Sequence, residues 1–266
     1  MTRAHPALSE LLRGLALRPA RTGPPLVGVS GAQGSGKTTL VRAVAADIGA
    51  ACLSLDDVYL PSAERLALAQ RVHPLFSTRG PPGSHDLSML SDTLEALFAA
   101  RPGDRTPVPA FDKLADDPLP RAAWPVFEGR PTAILIDGWC LGATPQLPET
   151  LEEPINSLER DRDPDGLWRK MVNDNLAGPY AMIFSRFDSF LHLAAPDFGV
   201  VQGWREQQQA GLLGRDLAET EKAAMKTFVQ HFERITRHML AGGRLPGPVV
   251  QLDAQRRPLG PAVESR

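Results

Sequence analysis

The chain has 266 residues, 42% of them hydrophobic, with 29 Lys+Arg against 31 Asp+Glu. A formal net charge of -2 excludes any general attraction to nucleic acid or to an anionic membrane, so an anion must be met locally. Two cysteines, Cys52 and Cys140, both in apolar runs, exclude a disulfide framework or a four-cysteine zinc site and read as buried, reduced thiols.

The length is sufficient for a large core, and we expect one α/β domain over 1–266, with a leading helix and linker over 1–24. No apolar run reaches the roughly 18 to 20 residues that a membrane span needs, and MTRAHPALSELLRG lacks a compact apolar signal core. The expectation is a cytoplasmic protein, with neither membrane nor nucleic acid as a partner.

In chain order, Leu8, Leu11, Leu12 and Leu15 recur at helical spacing, and RPARTGPP then breaks the chain. PLVGVSG predicts the first strand, and TTLVRAVAADIG predicts a helix closed by Gly49. ACLSL predicts a second strand ending at Asp56 and Asp57, and TAILID a third ending at Asp137. SFLHLAA and PVVQLD predict a fourth and a fifth, each short enough for a buried parallel sheet. Between them, DLSMLSDTLEALFAA aligns Leu87, Leu90, Leu94, Leu97 and Phe98, and KTFVQHFERITRHML aligns Phe228, Phe232, Ile235 and Met239. Alternating strands and helices predict a doubly wound parallel sheet of five strands, with ligands at the carboxyl ends. The Pro-rich stretches RGPPGSHD, RPGDRTPVPAFDK and DDPLPRAAWP are read as active-site loops.

Residues 31–38, GAQGSGKT, match the G-x-x-x-x-G-K-[ST] phosphate-binding pattern in its required strand-to-helix setting. Backbone N–H groups of Gly31, Ala32, Gln33, Gly34, Ser35, Gly36, Lys37, Thr38 and Thr39 are therefore expected to surround the phosphates of ATP. Lys37 supplies charge to the β- and γ-oxygens, and the Thr38 hydroxyl is placed to ligate Mg²⁺. Asp137 stands where such proteins keep an acid for the magnesium shell, directly or through water; capping of the turn before Gly138 is the other reading.

On the acceptor side, LSLDDVYL offers Asp56 as the base for a hydroxyl proton, while Asp57 either shares that candidacy or caps the next helix; Tyr59 belongs to the same motif. FSTRGPPGSHD offers Arg79, His85 and Asp86 as acceptor contacts, Arg79 for a small carboxylate and Asp86 alternatively as a helix N-cap. VPAFDKLADDPLPR offers Lys113 and Arg121 as a second clamp or, alternatively, surface ion pairs. The six histidines form no metal pattern; His231 and His238 lie seven apart on an amphipathic helix and read as structural. The charged segment over about 150–188 is placed to act as a helical lid, with Arg160, Arg162 and Arg169 as alternative contacts to ATP.

These motifs, GAQGSGKTTL, LSLDDVYL, RGPPGSHD, PAFDK, DGWCLGA and GWREQQQ followed by FVQHFERITRHML, occur in an order that resembles the D-glycerate 3-kinase family over about Leu26 to Leu240. That family is a branch of the phosphate-loop kinases that also includes uridine kinase, phosphoribulokinase and pantothenate kinase. The resemblance implies phosphoryl transfer from MgATP to D-glycerate, with Asp56 as base; Lys37 and Arg121 complete the candidate catalytic set. Three departures accompany it: Val58 replaces an aromatic, Asp137 stands where relatives more often have glutamate, and FDKLADDPLPR alters the segment between Lys113 and Arg121. A nucleoside or pantothenate-like acceptor is the nearest rival. A nucleotide-binding regulator that phosphorylates no small molecule is the reading from another class.

Overall fold

A computed structural model describes residues 4–20 and 22–264; Met1 to Arg3 and Arg21 of the expected leading segment, and the last two residues, lie outside the described residues. The leading helix α1 (Pro6–Ala16) opens on a proline at a position where an N–H would have had no helical partner, and it buries Leu8, Leu12 and Leu15. The first strand β1 (Leu26–Gly31) runs into the glycine loop and then α2 (Lys37–Ile48), which ends at Gly49 in the left-handed conformation.

Strand β2 (Ala51–Ser54) is followed by a single 3₁₀ turn, Leu55–Asp57, and then by α3 (Ser62–Arg71) and α4 (Leu87–Ala99). The Pro-rich stretches then form two small antiparallel pairs. In one, β3 (Arg105–Pro107) meets β6 (Val126–Glu128); in the other, β4 (Phe111–Asp112) meets β5 (Asp117–Pro118). Proline restricts both to a few ladder bonds.

The third core strand β7 (Ile134–Gly138) is buried at every residue, as a strand covered on both faces must be. After it come α5 (Ser157–Arg162), α6 (Leu167–Asn175), a π-helical turn Leu176–Tyr180 and α7 (Ala181–Phe184). Strand β8 (Ser189–Ala194), helices α8 (Gly199–Leu213) and α9 (Glu219–Leu240), and strands β9 (Pro248–Gln251) and β10 (Val263–Glu264) complete the order.

The main sheet runs β10-β9-β8-β1-β7-β2, with the five expected strands all parallel. The sixth, β10, adds two residues antiparallel to β9 and extends the expected five-stranded sheet. Cores lie on both faces. One gathers Leu90, Leu94 and Leu97 of α4 with Phe232, Ile235 and Met239 of α9, and the other gathers α1 and α2 with Trp204 of α8. Cys140 is buried and Cys52 half-buried, the latter because β2 forms the sheet edge. No helix among the described residues is long and apolar enough to cross a membrane.

Candidate active site

The loop between β1 and α2 closes tightly because three glycines take positive φ: Gly31 at 155°, Gly34 at 74° and Gly36 at 94°. A Cβ on Gly34 would stand 2.8 Å from the Cβ of Trp204, so α8 packs directly on the loop. Inside the turn, the buried Lys37 Nζ donates to the Ala32 carbonyl at 3.0 Å. Burial lowers the pKa of Lys37, opposed first by Asp137 and then by Asp56. Ser35 Oγ and both side-chain amide atoms of Gln33 are buried without a protein partner. Together with the free amides at the start of α2, the Ser35 hydroxyl and the Gln33 NH₂ group form a donor set suited to phosphate oxygens.

Parallel pairing of β7 beside β1, with Val29 opposite Asp137, carries the Asp137 carboxylate to the loop. Thr38 Oγ1 donates to Asp137 Oδ2 at 2.7 Å, while Oδ1 is buried with no partner. Burial pushes the pKa of Asp137 up to about 6, in spite of the attraction of Lys37 and the Thr38 hydrogen bond. An orphaned carboxylate oxygen beside a hydroxyl is a donor pair that suits a hard divalent cation. The residues present therefore fit Mg²⁺.

Asp56 sits in the turn after β2, at the same end of the sheet. Tyr59 Oη donates to Asp56 Oδ1 at 2.6 Å, and Lys113 Nζ bonds the Asp56 carbonyl and, at 2.9 Å, Asp57 Oδ1. Burial alone would raise the pKa of Asp56. The charge of Lys113, the Tyr59 hydroxyl and Lys37 outweigh burial and hold it below the usual carboxylate range. Asp57 instead is raised, by burial against the opposing pull of Lys113. The two aspartates also differ in position: Asp56 lines a cavity, while the Asp57 carboxylate is engaged as the counter-ion of Lys113.

This cavity is lined by Gln33, Asp56, Tyr59, Arg79, Lys113 and Arg205 among others. A second cavity shares Trp139 with it, but none of the candidate carboxylates or acceptor-side cations lines that one. Phe111 of β4 forms part of the support: Lys113 Nζ lies 4.8 Å and Arg79 5.7 Å from its ring centroid, and Tyr59 meets it edge-on. The β4–β5 turn is anchored by Asp116, whose carboxylate binds both the fully buried Arg65 of α3 and Arg79.

No protein-family model matches the chain. Among curated proteins, the Schizosaccharomyces pombe protein named "Uncharacterized kinase mug58" is 31% identical over 240 residues, covering 85% of this chain and 84% of that protein. The protein named "D-glycerate 3-kinase, chloroplastic" of Arabidopsis thaliana is 30% identical over 259 residues, covering 89% of this chain. The chain belongs to the D-glycerate 3-kinase family. It is a phosphotransferase with an alcohol acceptor. The alignment spans only 54% of the Arabidopsis enzyme, so this kinase matches about half of that relative's length. Among solved structures, a D-glycerate 3-kinase from Cryptococcus neoformans shares the fold with a TM-score of 0.74 at 22% identity, covering 98% of this chain and 100% of that one.

Several predicted residues of this kinase stand elsewhere. Asp86 caps α4, accepting from Met89 N at 2.8 Å and from Ser88 Oγ, so its carboxylate is engaged in the helix start and does not face the cavity. Arg121 is exposed in a short turn after β5 and lies 5.6 Å from the Trp124 ring centroid; it does not line the cavity, because the β4–β5 turn comes between Lys113 and Arg121. His85 lies beneath the site. Gly83 N donates to Tyr180 Oη at 3.0 Å, the same hydroxyl shares a hydrogen bond with His85 Nδ1 at 2.5 Å, and the imidazole stacks on Tyr59 with centroids 4.5 Å apart. Burial lowers the His85 pKa to about 3, which keeps the ring neutral and makes it a support for Tyr59 rather than a cation for the acceptor.

None of the three arginines proposed for the 150–188 segment lines the cavity. Arg169 is buried, donating to Asp163 Oδ2 at 2.9 Å and to the Leu151 and Glu152 carbonyls; Arg160 pairs with the adjacent Asp161 at the surface, and Arg162 is exposed. The segment packs on α9 through the buried pair Arg234–Glu159 at 2.6 Å. The cation that does reach the cavity from an unpredicted element is Arg205 of α8. Its signal was present in GWREQQQ, a motif singled out for its order but given no role.

Proposed function

We propose that the chain transfers the γ-phosphoryl group of ATP to a hydroxyl of D-glycerate, with Mg²⁺ as cofactor. The observation that carries this reading is the junction of two sites: Gln33 of the phosphate loop lines the same cavity as the ionised carboxylate Asp56 and the cations Arg79 and Lys113. The family membership and the name of the Arabidopsis relative support glycerate as the acceptor.

In this reading the amides from Gly31 to Thr39 and the Lys37 ammonium hold the nucleotide phosphates. Thr38 and Asp137 would hold the metal, which when bound neutralises charge on the β- and γ-phosphoryl oxygens. Asp56 accepts the hydrogen bond of the acceptor hydroxyl and takes its proton as the oxygen attacks phosphorus, and Tyr59 fixes the carboxylate for that contact. A lowered pKa makes Asp56 a weak base that is ionised throughout the neutral range, adequate for a transfer dominated by positioning and charge neutralisation.

The test is ATP consumption with Mg²⁺ in the presence of D-glycerate, L-glycerate, uridine, pantothenate or no acceptor, with the product identified by mass. Turnover with D-glycerate alone, lost by about a hundredfold or more in Asp56→Ala while ATP binding holds within about threefold, is the expected result. Equal slow ATP loss in every tube would leave only the nucleotide site and would favour a regulator.

A further inference from the structure

Three cations line the cavity beside Asp56, and their counter-ions differ. Arg79 is already paired with Asp116 and donates to the Lys113 carbonyl at 3.2 Å. Lys113 is paired with Asp57 at 2.9 Å. Arg205 has no carboxylate of the described residues within ion-pair distance; its contacts are Gln208 Oε1 at 3.4 Å and the Phe228 ring, 5.5 Å from guanidinium carbon to centroid.

Arg205 is nonetheless only 8% exposed. A guanidinium removed from water without a counter-ion is costly, and such groups persist where an anion completes them. Burial and then the neighbouring Arg79 lower its pKa, and the pull of Asp56, which lies beyond ion-pair distance, offsets this only in part. Its position is also fixed. The preceding residue, Trp204, packs against Gly34 of the phosphate loop and donates from its indole nitrogen to the Ala254 carbonyl at 2.8 Å.

The phosphates have their own donors in the loop amides and Lys37. Arg79 and Lys113 keep N–H groups that could reach the acceptor's carboxylate, but their charges are already offset by Asp116 and Asp57, whereas that of Arg205 is not offset by an ion pair. A planar guanidinium, here placed over the Phe228 ring, offers the two parallel N–H groups that match a carboxylate.

We infer that Arg205 is the specificity-determining residue of this kinase, the group that takes the carboxylate of a small hydroxy-acid acceptor while Asp56 takes its hydroxyl. This rests on the proposed glycerate reading.

Steady-state kinetics of the full chain carrying Arg205→Gln or Arg205→Lys, with D-glycerate and ATP varied in turn, tests it. For Arg205→Gln the expected result is an acceptor KM raised about 50-fold or more, with kcat and the KM for ATP changed less than about fivefold, as loss of a ground-state charge pair requires. Arg205→Lys, which keeps the charge and most of the stem, should recover part of that loss, and it supplies the same readout if the glutamine variant folds poorly. A loss carried by kcat with the acceptor KM unchanged would assign Arg205 to the transferring phosphoryl group and overturn the inference, as would no loss at all. Wild-type protein inert toward D-glycerate would overturn the glycerate reading and this inference with it. Active wild type with an unaltered acceptor KM in both variants would overturn this inference alone.

Discussion

The Thr38 hydroxyl donates to Oδ2 of Asp137 at 2.7 Å, leaving Oδ1 of the same buried carboxylate without a partner. This pair joins the first turn of α2 to the end of β7, and it holds a negative charge in a place where the folded chain alone does not satisfy it. Function and stability are therefore opposed at this residue.

Asp137→Asn makes that opposition measurable. With its folded pKa near 6, the Asp137 carboxyl is ionised above that pH in both states, and ionisation costs more in the folded one. In nucleotide-free protein at pH 8 the substitution should stabilise by about 1–3 kcal/mol, and the gain should fall to roughly half at pH 5, disappearing only below the unfolded carboxyl's ordinary value near 4. Activity with Mg²⁺ should fall by about a hundredfold or more. Melting curves at the two pH values and an activity assay check both arms; an unchanged or lowered Tm at pH 8 would contradict the account.

Arg169 distinguishes a structural arginine from a nucleotide contact. Its guanidinium and the Asp163 carboxylate are both buried, at 3% and 1% exposure. Arg169→Met leaves Asp163 without its counter-ion and should cost about 3 kcal/mol or more, lowering Tm by roughly 6 °C or more. The KM for ATP, measured well below the transition, should stay within about twofold of wild type. A tenfold rise in that KM with an unchanged Tm would instead make it a lid residue.

Three buried histidines set the acid limit of stability. Burial lowers His85 to about 3 and His192 and His231 to about 4, so all three are neutral in the folded chain across the range where the unfolded chain takes up protons. The unfolded state binds more protons below its ordinary histidine pKa of about 6.5, and stability must fall as pH falls from there toward 4. At its steepest the loss approaches about 4 kcal/mol per pH unit for the three together, offset in part by Asp137, which takes up its proton in the folded state near 6. Tm should thus be highest near neutrality and drop steeply below pH 6; a flat Tm down to pH 4.5 would refute it.

Much of the nucleotide half was legible in the sequence because its parts are contiguous. A glycine loop, a lysine and a hydroxyl within eight residues need only a strand before them and a helix after them, and both local patterns were plain. Asp56 and Asp137 were also legible, since each ends an apolar run and parallel strands bring their carboxyl ends to one edge of a sheet. The two-residue strand β10 was not, because so short a pairing leaves no periodic signal.

By itself, then, the sequence determined the five parallel strands, the phosphate loop and the carboxylates beside it. Tertiary structure alone decided which charges are available. Arg79, Lys113, Arg169 and Arg205 carry the same charge in the sequence, yet Arg79 meets Asp116, Lys113 meets Asp57, Arg169 is enclosed with Asp163, and Arg205 enters the cavity with no carboxylate of the described residues within ion-pair distance. Arg121 and Asp86 were excluded from the cavity in the same way, one by the path of a turn and the other by a helix cap. The physical reason is that a charge acts through its distance to partners and its exposure to water, and both depend on residues far away in the chain.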